Sequence, residues 1–231
     1  MKTVGIVGGI GPESTIDYYR SIIAEYRRRQ PDRSSPSILI DSIGVWELLD
    51  LVGAGEYDAL VRYLAPEIAR LVRAGADFVV FASNTPHIVF DELQRNAGVP
   101  MLSIVEAAAG AVRDAGMRKV ALFGTKFTMA GAFYPEVFTR HGVEVVRPSA
   151  EEQASIHSVY MDELLSNIFR PESRERMLGI VDRLRDAEHI EGVVLGGTEL
   201  PLLLRQDEHG DVRFFDTTRI HVDRIVTELL R

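Results

Sequence analysis

The sequence predicts an α/β protein with an internal duplication: two similar lobes, each a mainly parallel sheet flanked by helices, with a ligand site in the cleft between them. Three observations lead there. Short β-branched runs alternate with longer amphipathic stretches, the pattern of parallel βαβ units. Two strand-like segments are echoed later in the chain. Val4-Gly-Ile-Val-Gly-Gly9 returns as Val120-Ala-Leu-Phe-Gly-Thr125, and Phe78-Val-Val-Phe-Ala-Ser-Asn-Thr85 as Gly192-Val-Val-Leu-Gly-Gly-Thr198. The echoes also keep their spacing, 79 positions from Val4 to Ser83 and 77 from Val120 to Gly197. Two repeats with matching strand ends imply a pseudo-dyad with ligands bound at those ends.

Strands are expected near residues 3–7, 37–43, 77–82, 101–103, 119–123, 143–146, 192–195 and 212–215. Between them, the stretch 56–74 carries Leu60, Leu64, Ile68 and Leu71 at helical spacing. Pro66 lies inside that pattern, which leaves either two shorter helices or one kinked helix. Gly75 and Gly116 close helices, and Asp32-Arg-Ser-Ser-Pro36 turns into a strand. The last helix, 222–230, is expected to pack back on the first lobe. The lobes are then residues 1–103 with 210–231, and residues 104–209.

Composition narrows the function classes. Of 231 residues, 46% are hydrophobic and 26% charged, a globular balance with apolar runs too short to span a bilayer. Met1-Lys2-Thr3 leads straight into a strand-like run, so a cytoplasmic location is expected, with no membrane partner. The net charge of −8, with basic residues scattered among acidic ones, speaks against nucleic acid. The chain contains no cysteine, which excludes disulfides, iron–sulfur clusters, thiolate zinc sites and thiol nucleophiles. Six histidines show no i, i+4 pairing and no H-E-x-x-H motif, so no metal site is expected.

The chemistry-bearing residues fall just after strands. Gly8-Gly-Ile-Gly-Pro-Glu-Ser-Thr15 joins a strand to a helix, with Pro12 suited to a first helical turn. Backbone N–H groups around Gly9 and Ile10 suit a carboxylate or phosphate. The loop is neither a dinucleotide fingerprint, because Ser14 stands where a third glycine belongs, nor a P-loop. Ser83, Asn84 and Thr85 follow a buried strand, with His87 close behind, and do not form the G-x-S-x-G elbow of a hydrolase. Thr125, Thr128 and Thr198 are their second-lobe counterparts. Each threonine could donate to a carboxylate or simply cap a helix.

Taken together, Gly8-Gly-x-Gly-Pro-x-Ser-Thr15, Asn84-Thr85-x-His87, Gly124-Thr-x-x-Thr128-Met129 and Gly196-x-Thr198-Glu199-Leu200 resemble the aspartate/glutamate racemase family, with Asp216, Thr217 and His221 similar to its closing segment. The resemblance runs over nearly the whole chain. It implies a cofactor-independent, PLP-independent isomerase, often dimeric, in which two facing cysteines exchange the α-proton of an amino acid. Here Ser83 and Gly197 stand at the positions matching those cysteines. A thiol has a pKa near 8.5, and an alkyl hydroxyl titrates several units higher at about 1.4 kcal/mol per unit. Two-thiol racemisation is thereby ruled out.

What the resemblance then implies is a small carboxylate or amino acid bound by Gly9, Ile10, Asn84, Thr85, Thr125, Thr128 and Thr198. Thr15 and His87 support that site from behind, and another base, with Glu199 the weak candidate, carries isomerase or lyase chemistry at the α-carbon. Glu199 is expected to point away from a bound anion or to be protonated. The alternative is a non-catalytic carboxylate-binding relative, or an inactivated variant. Residues 42–51 and 153–169 contain no Arg or Lys, which leaves no evident partner there for a distal carboxylate. A homodimer is expected, with Trp46 in the core in preference to the alternative that it or its helix lies at the interface.

Overall fold

The computed structural model describes residues 2–32 and 35–231; Arg33 and Ser34, within the expected turn before the second strand, lie outside the described residues. The chain divides into two compact units, one of residues through Ile104 with Thr218–Arg231, the other Val105–Thr217.

The first unit is built on a three-stranded parallel sheet of β1 (Thr3–Gly8), β2 (Ser37–Ser42) and β3 (Phe78–Phe81), in the order β2-β1-β3. β1 and β3 are buried on both faces, which explains why they read as continuous apolar runs rather than alternating ones. On one face, Val4, Ile6, Phe78 and Val80 pack with Tyr18, Ile22 and Tyr26 of α1 (Pro12–Arg29). On the other, Gly5 approaches α3 (Tyr57–Arg73) so closely that a Cβ would stand 2.9 Å from Ala76 Cβ and 3.1 Å from Leu71 Cβ. α3 buries Leu60, Leu64, Ile68 and Leu71, the face that the spacing predicts. It runs through Pro66 as one helix because that residue faces solvent, where the Arg62 carbonyl deprived of its partner can meet water.

Two readings are corrected in this unit. Residues 101–103 form no strand: Met101 makes a single bridge to Val79, since Pro100 has no N–H to give and the chain turns into α5 (Ile104–Asp114) at once. Trp46 is not core but 70% exposed. It lies on α2 (Val45–Ala54), whose buried face carries Leu48 and Val52 four apart, and a residue two before Leu48 falls on the opposite side. After β3, a single 3₁₀ turn (Thr85–Val89) leads into α4 (Phe90–Asn96).

The second unit holds the sheet β5-β4-β6-β8-β7, formed by β4 (Lys119–Gly124), β5 (Glu144–Val146), β6 (Gly192–Gly196), β7 (Glu208–His209) and β8 (Val212–Asp216). All pairings are parallel except β7 with β8. Its helices are α6 (Lys126–Ala130), α7 (Phe133–Arg140), α8 (Ala150–Asp162), α9 (Pro171–Glu188) and α10 (Leu200–Leu203). The order β5-β4-β6 repeats β2-β1-β3, and Val120 faces Gly192 as Val4 faces Phe78.

The chain returns to the first unit at Thr218, where α11 (Thr217–Leu229) sends Val222, Ile225, Val226 and Leu229 into the core of β1, β3 and α1. The returning segment is shorter than residues 210–231, because β8 pairs with β6 and so holds residues 212–216 in the second sheet.

Candidate functional site

At the carboxyl end of β1, Gly9 adopts φ +81°, and a Cβ there would stand 2.2 Å from the Ile43 carbonyl oxygen. Only glycine fits. The Gly9 N–H donates to Thr15 Oγ1 at 2.8 Å, so this N–H is bonded within the chain rather than offered to an anion. Thr15 acts here as the strut of the loop: its methyl and hydroxyl also fill the space a Cβ on Gly8 would need, at 2.6 and 2.7 Å. Ile10 is buried beside it.

After β3, Ser83, Asn84, Thr85 and His87 are all buried. The His87 ring stacks on Phe90, with centroids 4.9 Å apart, and meets Phe81 edge-on. Its Nδ1 lies 3.2 Å from the Asn84 carbonyl, and its Nε2 accepts the Ile104 N–H at 3.3 Å. A carbonyl can only accept, which puts the proton on Nδ1. Burial, reinforced by nearby His221, lowers the pKa of His87 to about 3. A neutral ring with both nitrogens engaged cannot take a proton from Ser83.

His221, on α11, is bound in the same way. Its Nε2 donates to the Leu102 carbonyl at 3.1 Å, and its Nδ1 accepts from Tyr18 at 2.9 Å. Burial lowers its pKa to about 4. One turn earlier, Thr218 Oγ1 is buried with no hydrogen-bond partner among the described residues.

In the second unit, Thr125 is the N-cap of α6 and accepts the Thr128 N–H at 3.3 Å. Thr128 packs against Gly124 and Gly196, where added Cβ atoms would meet its side chain at 3.0 and 3.2 Å. Loss of the cap in Thr125→Ala is expected to cost about 1 kcal/mol of stability, read from chemical denaturation.

Beyond β6, Glu199 is buried, and one of its oxygens accepts from Thr198 Oγ1 at 2.8 Å and from the Tyr160 hydroxyl. The Thr198 hydroxyl is thus directed to Glu199 rather than outward. The helical turns at Thr85, Lys126 and Leu200 span five, five and four residues, too short to act as strong anion-binding helix ends, so any donors come from side chains.

Sequence reasoning missed α8. It places His157 and Tyr160, three apart on one face, over the ends of β4 and β6. His157 Nδ1 accepts the Lys126 N–H at 3.3 Å, and burial together with the Lys126 charge lowers its pKa. Tyr134 was missed as well. It stands ten residues after Gly124, as Tyr18 stands ten after Gly8, and its buried hydroxyl bonds Thr217. The repeat therefore extends to a tyrosine beneath each first loop.

Among the described residues, no three or more His, Asp or Glu side chains gather as metal ligands, and no helix is long and apolar enough to cross a membrane. An open depression lined by Met117, Arg185, His189 and Asp211 lies at the amino ends of β4, β6 and β8, away from the loops where such sheets hold ligands.

Parallel α/β units repeated within one chain, with buried hydroxyl side chains after the central strands, define a duplicated parallel α/β protein. Residues 7–225 match the Asp/Glu/Hydantoin racemase family, and the chain belongs to that family. It is 25% identical over 207 residues to the broad specificity amino-acid racemase RacX of Bacillus subtilis (strain 168), covering 87% of each chain. An aspartate racemase homologue from Pyrococcus horikoshii OT3 superposes with a TM-score of 0.87 at 36% identity, covering 100% of both chains. Picrophilus torridus aspartate racemase shares the fold, with a TM-score of 0.76 at 20% identity over 99% of this chain and 94% of that one.

Proposed function

We propose that this racemase-family chain binds a small amino or carboxylic acid at the carboxyl ends of its parallel strands. It then acts on the α-carbon without a thiol and without PLP or another cofactor. The observation that carries the binding is the buried Thr218 hydroxyl at the first turn of α11, which lacks a hydrogen-bond partner among the described residues. Leaving such a group unsatisfied costs about 1–3 kcal/mol, which a carboxylate oxygen would recover. Thr85 and Asn84, buried after β3, supply further donors.

Titration calorimetry with L-aspartate, D-aspartate, L-alanine and acetate tests this reading. Thr218→Val is expected to raise the melting temperature of the free protein, because the orphaned hydroxyl is gone. It should also weaken the best ligand by about tenfold, as should Thr85→Val. A chain that binds none of the four acids does not have this function.

A non-catalytic carboxylate binder is the second reading. The observation favouring it is the commitment of both His87 nitrogens, which leaves Ser83 without a base. Homodimerisation and a cytoplasmic location accompany the family reading; sedimentation at micromolar concentration checks the first.

A further inference from the structure

We propose that the proton-transfer group of the second unit is Tyr160, backed by Glu199 and standing where a side chain at position 197 would stand. The proposal rests on the carboxylate-binding reading above. A Cβ built on Gly197 falls 2.4 Å from Tyr160 Cε2, 3.2 Å from Cζ and 3.3 Å from Cδ2. The Gly197 backbone is not in the left-handed region, so no conformational demand calls for glycine there. The tyrosine ring does. A side chain delivered from α8 has taken over the volume beside the β6 loop.

The hydroxyl end of that ring is aimed at a carboxylate. Tyr160 donates to Glu199 Oε2, which also accepts from Thr198 at 2.8 Å. The mount is firm. Ser149 and Glu152 form a capping box at the start of α8, Arg183 pairs with Glu152, and Ile156 and Val159 are buried beneath it. Burial and the Glu199 charge hold the phenol protonated well above its usual range.

That pair can move a proton that neither serine nor glycine could. The substrate Cα–H bond breaks as a new O–H bond forms on the phenol oxygen. The original phenol proton passes to the Glu199 carboxylate, and the C–H electron pair moves into the substrate carboxylate as an enediolate. The reverse sequence returns a proton, or a deuteron from solvent, to the α-carbon. A single proton-transfer group serves both directions and returns the proton to the face it left. Exchange of the α-hydrogen then outruns inversion of configuration.

The test uses the full chain in D₂O with L-aspartate and L-alanine as probes. Loss of the α-proton signal is followed by NMR, the D-isomer by chiral chromatography, and affinity by calorimetry. Exchange is expected to exceed D-isomer formation by at least about tenfold. Tyr160→Phe keeps the ring and should slow exchange by about 100-fold or more, with affinity changed by less than about threefold. Glu199→Gln keeps an acceptor for the hydroxyl and should slow exchange likewise, which covers the case in which Tyr160→Phe does not fold. Exchange at the unsubstituted rate in either folded variant overturns the proposal. So does a chain that binds these acids and exchanges nothing. Absence of binding by the unsubstituted chain overturns instead the carboxylate reading beneath it.

Discussion

Acidification from pH 7 to pH 5 is expected to remove about 4 kcal/mol of stability through two histidines, at about 2 kcal/mol each. His87 and His221 are buried neutral, with pKa values lowered to about 3 and about 4. In the unfolded chain both return to about 6.5. The unfolded state therefore binds more protons below that value, and stability falls as pH drops from about 6.5 toward the folded-state values, where the loss is complete. Above pH 7 both rings are neutral in either state and contribute no slope. Glu25, held near 2 by Arg28 and Arg29, adds its own loss only as pH falls through the ordinary glutamate range, while Asp17 and Glu67, raised by burial, act in the opposite sense. For a chain of this length the melting temperature should drop by about 10 °C between pH 7 and pH 5. His221→Gln, which can keep both hydrogen-bond roles, should roughly halve that slope. A melting temperature flat across the window would mean that the rings are protonated in the fold, and the tautomers deduced for them would be wrong.

The same two rings show where sequence reading reached and where it stopped. The repeat was legible because each half carries its own strand, loop and spacing, all local patterns, and the two sheets share one order around β1 and β4. The buried face of α3 was legible from helical periodicity alone. Three things were not. A large aromatic side chain is expected in the core, yet the position of Leu48 and Val52 around α2 decides the exposure of Trp46. The segment 101–103 has strand-like residues, but a strand also needs donors, and Pro100 supplies none. The role of α8 depended on contact between Tyr160 and Gly197, 37 positions apart, and no local pattern encodes such a pair. The glycine at 197 was the available signal. A glycine at a strand end with an ordinary backbone marks a place where some other side chain comes close.

That reasoning gives the second large effect. Gly197→Ala is expected to destabilise the protein by about 3 kcal/mol, the upper part of the range for overpacking a core. A Cβ at 2.4 Å from an aromatic carbon cannot be tolerated in place, so the ring must move. It cannot swing freely, because its hydroxyl is tied to Glu199 and its base is fixed on α8 above Ile156 and Val159. Cutting the ring back should remove the cost of the added methyl. In the Tyr160→Ala background the truncation itself costs about 3–5 kcal/mol, but adding Gly197→Ala should then cost nothing further, or recover part of that loss by filling the cavity. Tyr160→Phe should give no such relief, since the clashing ring atoms remain. Denaturant titrations of the single and double variants provide the cycle, with an expected coupling of about 2–3 kcal/mol. Simple additivity of Gly197→Ala and Tyr160→Ala would separate the two residues energetically and leave the glycine without its explanation. Strong coupling would mean that a thiol introduced by Gly197→Cys folds comfortably only when Tyr160 has been cut back.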